Sequence, residues 1–397
     1  MTVAGIRIPE HFTPPHRLMN NLLAVASIDF LICIIGVIVS PARIWPNILL
    51  ANYYLLSLGL GAIFFIAVQY VSNAGWSVAL RRVPEAMTSV LPISGVLLLA
   101  TLYGTPVLYE WSRASSVAHD PVLQSKSFWL NTPFFASRTV VYFALWFLFS
   151  LWIVNTSRKQ DADGAIHHTM KNRKLSGAFL PIFGVTVTLA SMDWVMSLEA
   201  RWYSTIFGIY NFAGIFLNSL AAMAILVILL RRMGPFRYVV TEKHLHDLGK
   251  LIFAFSTFWM YVWFSQYLLI WYANIPEEVT YLLHRQHGSW SIFTILNVGF
   301  NWVIPFIVLL PKWTKQTEGL LLRVCIILMI GHWIDLFWMI LPPFMPGGPV
   351  LSLWEIGPIA GAVLVFFYAT FRTLSKWNVV PVKDPMLIES LPQHHES

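Results

Sequence analysis

Ten stretches of about twenty predominantly apolar residues follow one another along this chain, and nothing else in it restricts the fold so severely. They occupy residues 20–39, 48–71, 87–109, 133–155, 175–198, 204–230, 248–271, 289–310, 320–341 and 350–371. As α-helices, runs of this length match the hydrocarbon thickness of a bilayer, roughly 30 Å. In hydrocarbon every backbone N–H and C=O must be bonded internally, which a helix achieves within its own segment. With 57% hydrophobic and 11% charged residues among 397, the chain also carries more apolar side chain than one aqueous core can bury. The expected fold is an all-α polytopic membrane protein with ten transmembrane helices.

The formal charge of +7 would suit a nucleic-acid partner only if it were gathered on one face. Instead, 18 of the Lys and Arg residues outside the spans fall in the termini and alternate loops, against 5 in the remaining loops. That asymmetry is topogenic and predicts both termini in the cytoplasm, with no nucleic-acid role. Residues 1–19 are polar and Pro-rich, so a cytoplasmic lead without a cleavable signal is expected, and residues 372–397 read as a cytoplasmic tail. Trp45, Trp111, Trp129, Trp202, Trp271 and Trp290 are expected to form an aromatic belt at the outer interface.

Acids inside spans are the candidates for function, because a charge at the bilayer centre costs about 2.5–3.5 kcal/mol on insertion scales. Asp193 shares a helical stripe with Thr186, Ala190 and Ser197, just below Glu199 and Arg201. An ion pair of Asp193 with Arg201 or Arg138 that only locks helices is the alternative to a working acid. Asp335 follows His332 at i+3, so the two share a face. Asp29 in the first span is either a third member of a path or a structural acid. Asn52, Tyr53, Tyr54, Ser57, Asn211 and Asn218 read as interhelical glue. Pro92 and Pro106 predict kinks whose freed carbonyls need partners.

Outside the spans, Arg81 and Arg82 read as membrane anchors. The 157–174 loop carries His167 and His168, read as topogenic and lipid-facing rather than metal-binding, because neighbours diverge on a regular element and no third ligand is near. His244, His246, Asp247 and Lys250 gather at one span's mouth. Gln266 and Trp271, in an aromatic helix, would suit a flat apolar ring ligand.

Aligning Asp193 with Asp335 sets DWVMSL beside DLFWMI and suggests a duplication of four spans, 2–5 and 6–9, giving two four-helix bundles. One intramembrane histidine cannot ligate a bis-histidine haem, and Cys33 and Cys325 cannot hold an iron–sulfur cluster. No P-loop or dinucleotide fingerprint is present. The chain has no redox centre of its own, and no metal site is expected.

The runs SMDWVMSLEARWYSTIFGIYNFAG, DLGKLIFAFSTFWMYVWFSQYLLIWYANIPEE and SWSIFTILNVGFNWVIPFIVLLPKWTKQ closely resemble the NrfD-like membrane subunits, of the ActF kind, of bacterial alternative complex III, a quinol:electron-acceptor oxidoreductase. The resemblance implies bundles at 48–198 and 204–341, flanking helices at 20–39 and 350–371, and a bacterial inner-membrane location. It implies as partners a larger NrfD-like subunit, an iron–sulfur protein and haem c proteins, with a cytochrome c or terminal oxidase as acceptor. Haem c and iron–sulfur clusters would then belong to partner subunits, and quinone or menaquinone would be the diffusible cofactor. What carries over by motif is Asp193 of SMDW, Glu199 and Arg201 of SLEAR, and the His332/Asp335 pair.

The expected function is support of quinol oxidation together with a transmembrane proton path. Asp193, Asp335 and His332, near Glu199 and Arg201, would form its outer part, and Asp29 with the 244–250 cluster its inner part. The alternatives are a structural anchor with a quinone pocket, working or vestigial, near Gln266, Trp271 and His332, and a secondary transporter.

Overall fold

Each apolar run closes into a helix. A computed structural model of the chain describes residues 12–391, plus an antiparallel backbone pairing of Thr2–Val3 with Ile6–Arg7. Ten long helices follow: α1 His16–Val39, α2 Pro41–Val71, α3 Arg82–Leu108, α4 Thr132–Asp163, α5 Ile166–Glu199, α6 Phe207–Arg232, α7 Glu242–Ala273, α8 Trp290–Leu309, α9 Glu318–Ile340 and α10 Leu353–Leu374. Among the described residues, nine of these are long and apolar enough to cross a membrane. The exception is α7, whose Trp, Tyr, Ser and Gln side chains dilute its apolar character although it is 32 residues long.

Prolines set the local irregularities. Helix α3 passes through tight 3₁₀ turns at Thr88–Val90 and Leu102–Gly104, each just ahead of a proline, Pro92 or Pro106. Freed carbonyls there are taken up locally: Thr101 Oγ1 donates to Leu98 O at 2.6 Å and Thr105 Oγ1 to Leu102 O at 2.7 Å. Helix α8 widens into a π-turn at Gly299–Val303. Pro305 cannot donate to the carbonyl of Asn301 four residues back, and Ser256 Oγ of α7 donates to it instead, at 2.5 Å.

Helices α2 and α6 form the centre and are the most buried of the set. Helix α2 packs on α3, α5, α6 and α10; α6 packs on α2, α5, α7 and α9; α1 lies against α10. Contacts between loops define two ends. At one, Arg201 binds Glu110 and Asp120, and Arg285 binds Glu199. At the other, Arg81 binds Asp384, Arg82 binds Asp161, and Arg231 binds Glu318. Phe12 meets Phe371 with ring centroids 5.8 Å apart, so both termini of the described chain sit at this second end, termed the tail end.

Several expectations need correction. The 157–174 loop is almost entirely helix: α4 continues to Asp163 and α5 begins at Ile166, because polar residues continue a helix beyond its apolar part. Arg81 and Arg82 are buried rather than anchoring in solvent. Residues 375–391 fold back onto the tail end, burying Val379, Val380 and Leu387. Of the six belt tryptophans, Trp45, Trp111, Trp202 and Trp290 are buried within the protein, and only Trp129 and Trp271 are exposed.

Candidate functional site

Asp193 ends the regular part of α5 and is 1% exposed. Arg138 of α4 grips it with two bonds, Nε to Oδ2 and Nη2 to Oδ1, both 2.8 Å. Trp129 Nε1 donates to Oδ1 at 2.9 Å and Tyr142 OH to Oδ2 at 3.0 Å. The guanidinium is itself fixed, donating to Trp129 O and lying over the rings of Trp129 and Phe134. This is the fork geometry in which an Arg–carboxylate pair is strongest. Asp193 forms part of the floor of an open cleft of about 400 Å³ beside Lys126, Trp129, Met196 and Tyr203.

Asp335 of α9 is equally buried but, among the described residues, has no cation in its hydrogen-bond shell. It accepts from Tyr210 OH of α6, from Asn297 Nδ2 of α8 at 2.8 Å, and from Trp259 Nε1 of α7 at 3.1 Å. The π-turn brings Asn297 and Asn301 to face α9, where Asn301 Nδ2 donates to Asn297 Oδ1 at 2.7 Å and to Gly331 O at 3.0 Å. Both acids thus receive a Trp and a Tyr donor. They differ in a further ligand, Arg138 of α4 for Asp193 and Asn297 of α8 for Asp335.

His332 and Asp335 converge on one spot of α6. A Cβ placed on Gly214 would lie 3.3 Å from His332 Nδ1 and 3.5 Å from Asp335 Oδ2. The other ring nitrogen, Nε2, is buried without a hydrogen-bond partner among the described residues. Its ring lies 5.5 Å from that of Tyr54 on α2. A polar seam continues between α2 and α6: Asn218 Nδ2 donates to Ser57 Oγ at 3.0 Å, and Tyr53 OH donates to Asn211 Oδ1 at 3.1 Å. Asn218 Oδ1 is also buried and unpartnered. Such orphans in a polar interior are where ordered water is found.

The remaining candidates are dispersed. Glu199 pairs with the fully buried Arg285, which also donates to the carbonyls of Trp338, Tyr281 and Met339. Arg201 is exposed and holds Glu110 and Asp120, not Asp193. Asp29 sits in a notch of α10, where a Cβ on Gly361 would fall 1.8 Å from its Oδ2. His244 caps α7 and meets Ser390 of the tail, and Lys250 pairs with Asp247. Gln266 is buried with an unpartnered Oε1, whereas Trp271 is 63% exposed. A groove of about 700 Å³ between α2, α6, α9 and α10 is lined by Tyr54, Met329, Trp333 and other apolar residues, with none of Gln266, Trp271 or His332 in its wall.

Sequence reasoning missed a buried cluster at the tail end. Glu85 is 1% exposed and accepts from Ser157 Oγ at 2.5 Å and from Arg82, which also reaches Asp161 at 2.6 Å. Its signal was present as Arg-Arg followed by an acid at i+3, but lay just outside a span drawn from residue 87. Compared with known proteins, the chain matches no family model and no curated protein.

Proposed function

We propose that this chain is a proton-conducting membrane subunit of a quinol-oxidising complex of the NrfD-like, ActF kind, with ten membrane crossings and both termini cytoplasmic. The carrying observation is Asp335: a buried acid whose hydrogen-bond donors among the described residues are all neutral, beside a histidine whose Nε2 is buried and unpartnered among them. A carboxylate so placed can gain or release a proton without breaking an ion pair, whereas Asp193 would have to break two Arg138 bonds. Asp335 and His332 therefore serve as the exchanging pair, and the Asp193–Arg138 unit as a fixed dipole below the cleft. Helix α7 counts as the tenth crossing because its start meets Ser390 at the tail end, while the short helix Pro276–Gln286 that follows it binds Glu199 at the opposite end through Arg285.

Quinone does not fit the residues expected to hold it. Trp271 projects outward, and the 700 Å³ groove has apolar walls in which Tyr54 OH is engaged with Met329 O at 3.1 Å and Trp333 Nε1 is buried and unpartnered among the described residues. Quinol oxidation, iron–sulfur and haem c chemistry, and the reduction of a cytochrome c or terminal oxidase are assigned to partner subunits. The test is purification of the intact assembly with Asp335→Asn or Asp193→Asn in this subunit. Asp335→Asn should lower proton release coupled to quinol turnover on the order of tenfold or more with assembly intact. Unchanged coupling in Asp335→Asn, or co-purification with no redox subunits, would overturn the reading. The specific observation favouring a purely structural role, the Arg138 clamp, applies to Asp193 alone.

A further inference from the structure

At the tail end, Gly164, at φ +71°, ends α4 in the left-handed conformation and lets α5 start two residues later. The reversal folds the last residue of α4 onto the first turn of α5. Asp163, His167 and His168 come together there, with one donor atom from each lying within 4.8 Å of the others. The two imidazole rings, neighbours in sequence, have centroids 3.9 Å apart. Asp163 Oδ2 and His168 Nε2 are 3.0 Å apart, while Asp163 Oδ1 is held by the backbone N–H of Ala165 at 2.9 Å. The third ligand that the sequence reading found lacking is thus Asp163, four residues before His167.

We propose that Asp163, His167 and His168 form a binding site for a divalent transition-metal ion of the Zn²⁺ class. The two imidazoles are borderline nitrogen donors that favour such ions over Ca²⁺ or Mg²⁺, which prefer all-oxygen shells, and the carboxylate is a ligand that Zn²⁺ also accepts. Donors bound side by side at about 2.1 Å from one ion lie about 3.0–3.4 Å apart, so the Asp163–His168 spacing already matches. His167, exposed at the surface, closes the remaining gap by a side-chain rotation and leaves outer positions to water. The nearby ammonium of Lys383 is turned away onto Ala162 O. The ion joins α4 to α5 where Gln160 Nε2 already bonds Thr169 Oγ1 at 2.7 Å.

The test uses the full chain in detergent with Zn²⁺ alone, titrated against a chromophoric chelator, and Cu²⁺ for electron paramagnetic resonance. Wild type should take one tight equivalent and show two-nitrogen hyperfine coupling. Asp163→Asn, which keeps the acceptor for Ala165, and His167→Ala should each weaken that equivalent at least about tenfold. His119→Ala, altering an exposed histidine elsewhere, should not. Zn²⁺ should raise the thermal unfolding midpoint of wild type but not of Asp163→Asn. Retention of the tight equivalent in the Asp163→Asn/His167→Ala double variant, or no tight equivalent in wild type, would overturn the proposal.

Discussion

At the scale of single residues, the two acids show how one neighbour decides what a carboxylate can do. Removing Arg138 strands a charge that is 1% exposed, so Arg138→Met should cost about 3–5 kcal/mol of stability. The double variant Arg138→Met/Asp193→Asn should recover most of it, because the stranded charge is gone as well. Thermal denaturation of the single and double variants checks this, and equal loss in both contradicts it. Asp193, Asp335 and His332 were legible in the sequence as ionisable groups inside apolar runs. Their partners were not. Arg201, close by in sequence, and the distant Arg138 were alternative partners for Asp193, and only the packing of α4 on α5 selects Arg138. Asn297 was not legible as a partner of Asp335, because its orientation depends on a π-turn that hydropathy does not reveal.

At the scale of elements, irregular backbone places the working groups. The segment between α3 and α4 was legible as the longest loop at its end, but not its anchorage. It folds into Ala114–Ala118 and Pro121–Lys126, with Asp120 capping the second helix. Although desolvation opposes it, the amides of Leu123 and Val122 and the Arg201 guanidinium hold the Asp120 carboxyl below its ordinary value of 3.8. A depressed carboxyl contributes to the fold above that ordinary value and ceases to do so as pH falls through the lower folded one. Nicking of residues 110–132 by an acid-active protease should therefore stay low down to about pH 4 and rise below it. In Arg201→Ala the rise should come at higher pH. An identical profile in the variant would remove this anchorage. Helix ends were the least legible feature, since α4 and α5 run on through charged residues that no membrane criterion counts as helix.

For the whole molecule, apolar periodicity and charge asymmetry foretold the alternation of loops between two ends, and the contacts of both ends agree with it. The role of the last residues was not legible, because a polar tail and a docked strap have similar composition. Asp384→Ala should leave Arg81 buried without its acid and destabilise the tail end by about 3–5 kcal/mol. Hydrogen exchange confined to residues 75–91 and 375–391 would report it, and unaltered protection there would contradict it. The central claim is that Asp335 changes protonation during turnover, which infrared difference spectroscopy on the intact assembly addresses most directly. A carboxyl C=O band that appears or vanishes on quinol addition, shifts in D₂O, is lost in Asp335→Asn and persists in Asp193→Asn is the predicted result. The same band surviving in Asp335→Asn would contradict the account.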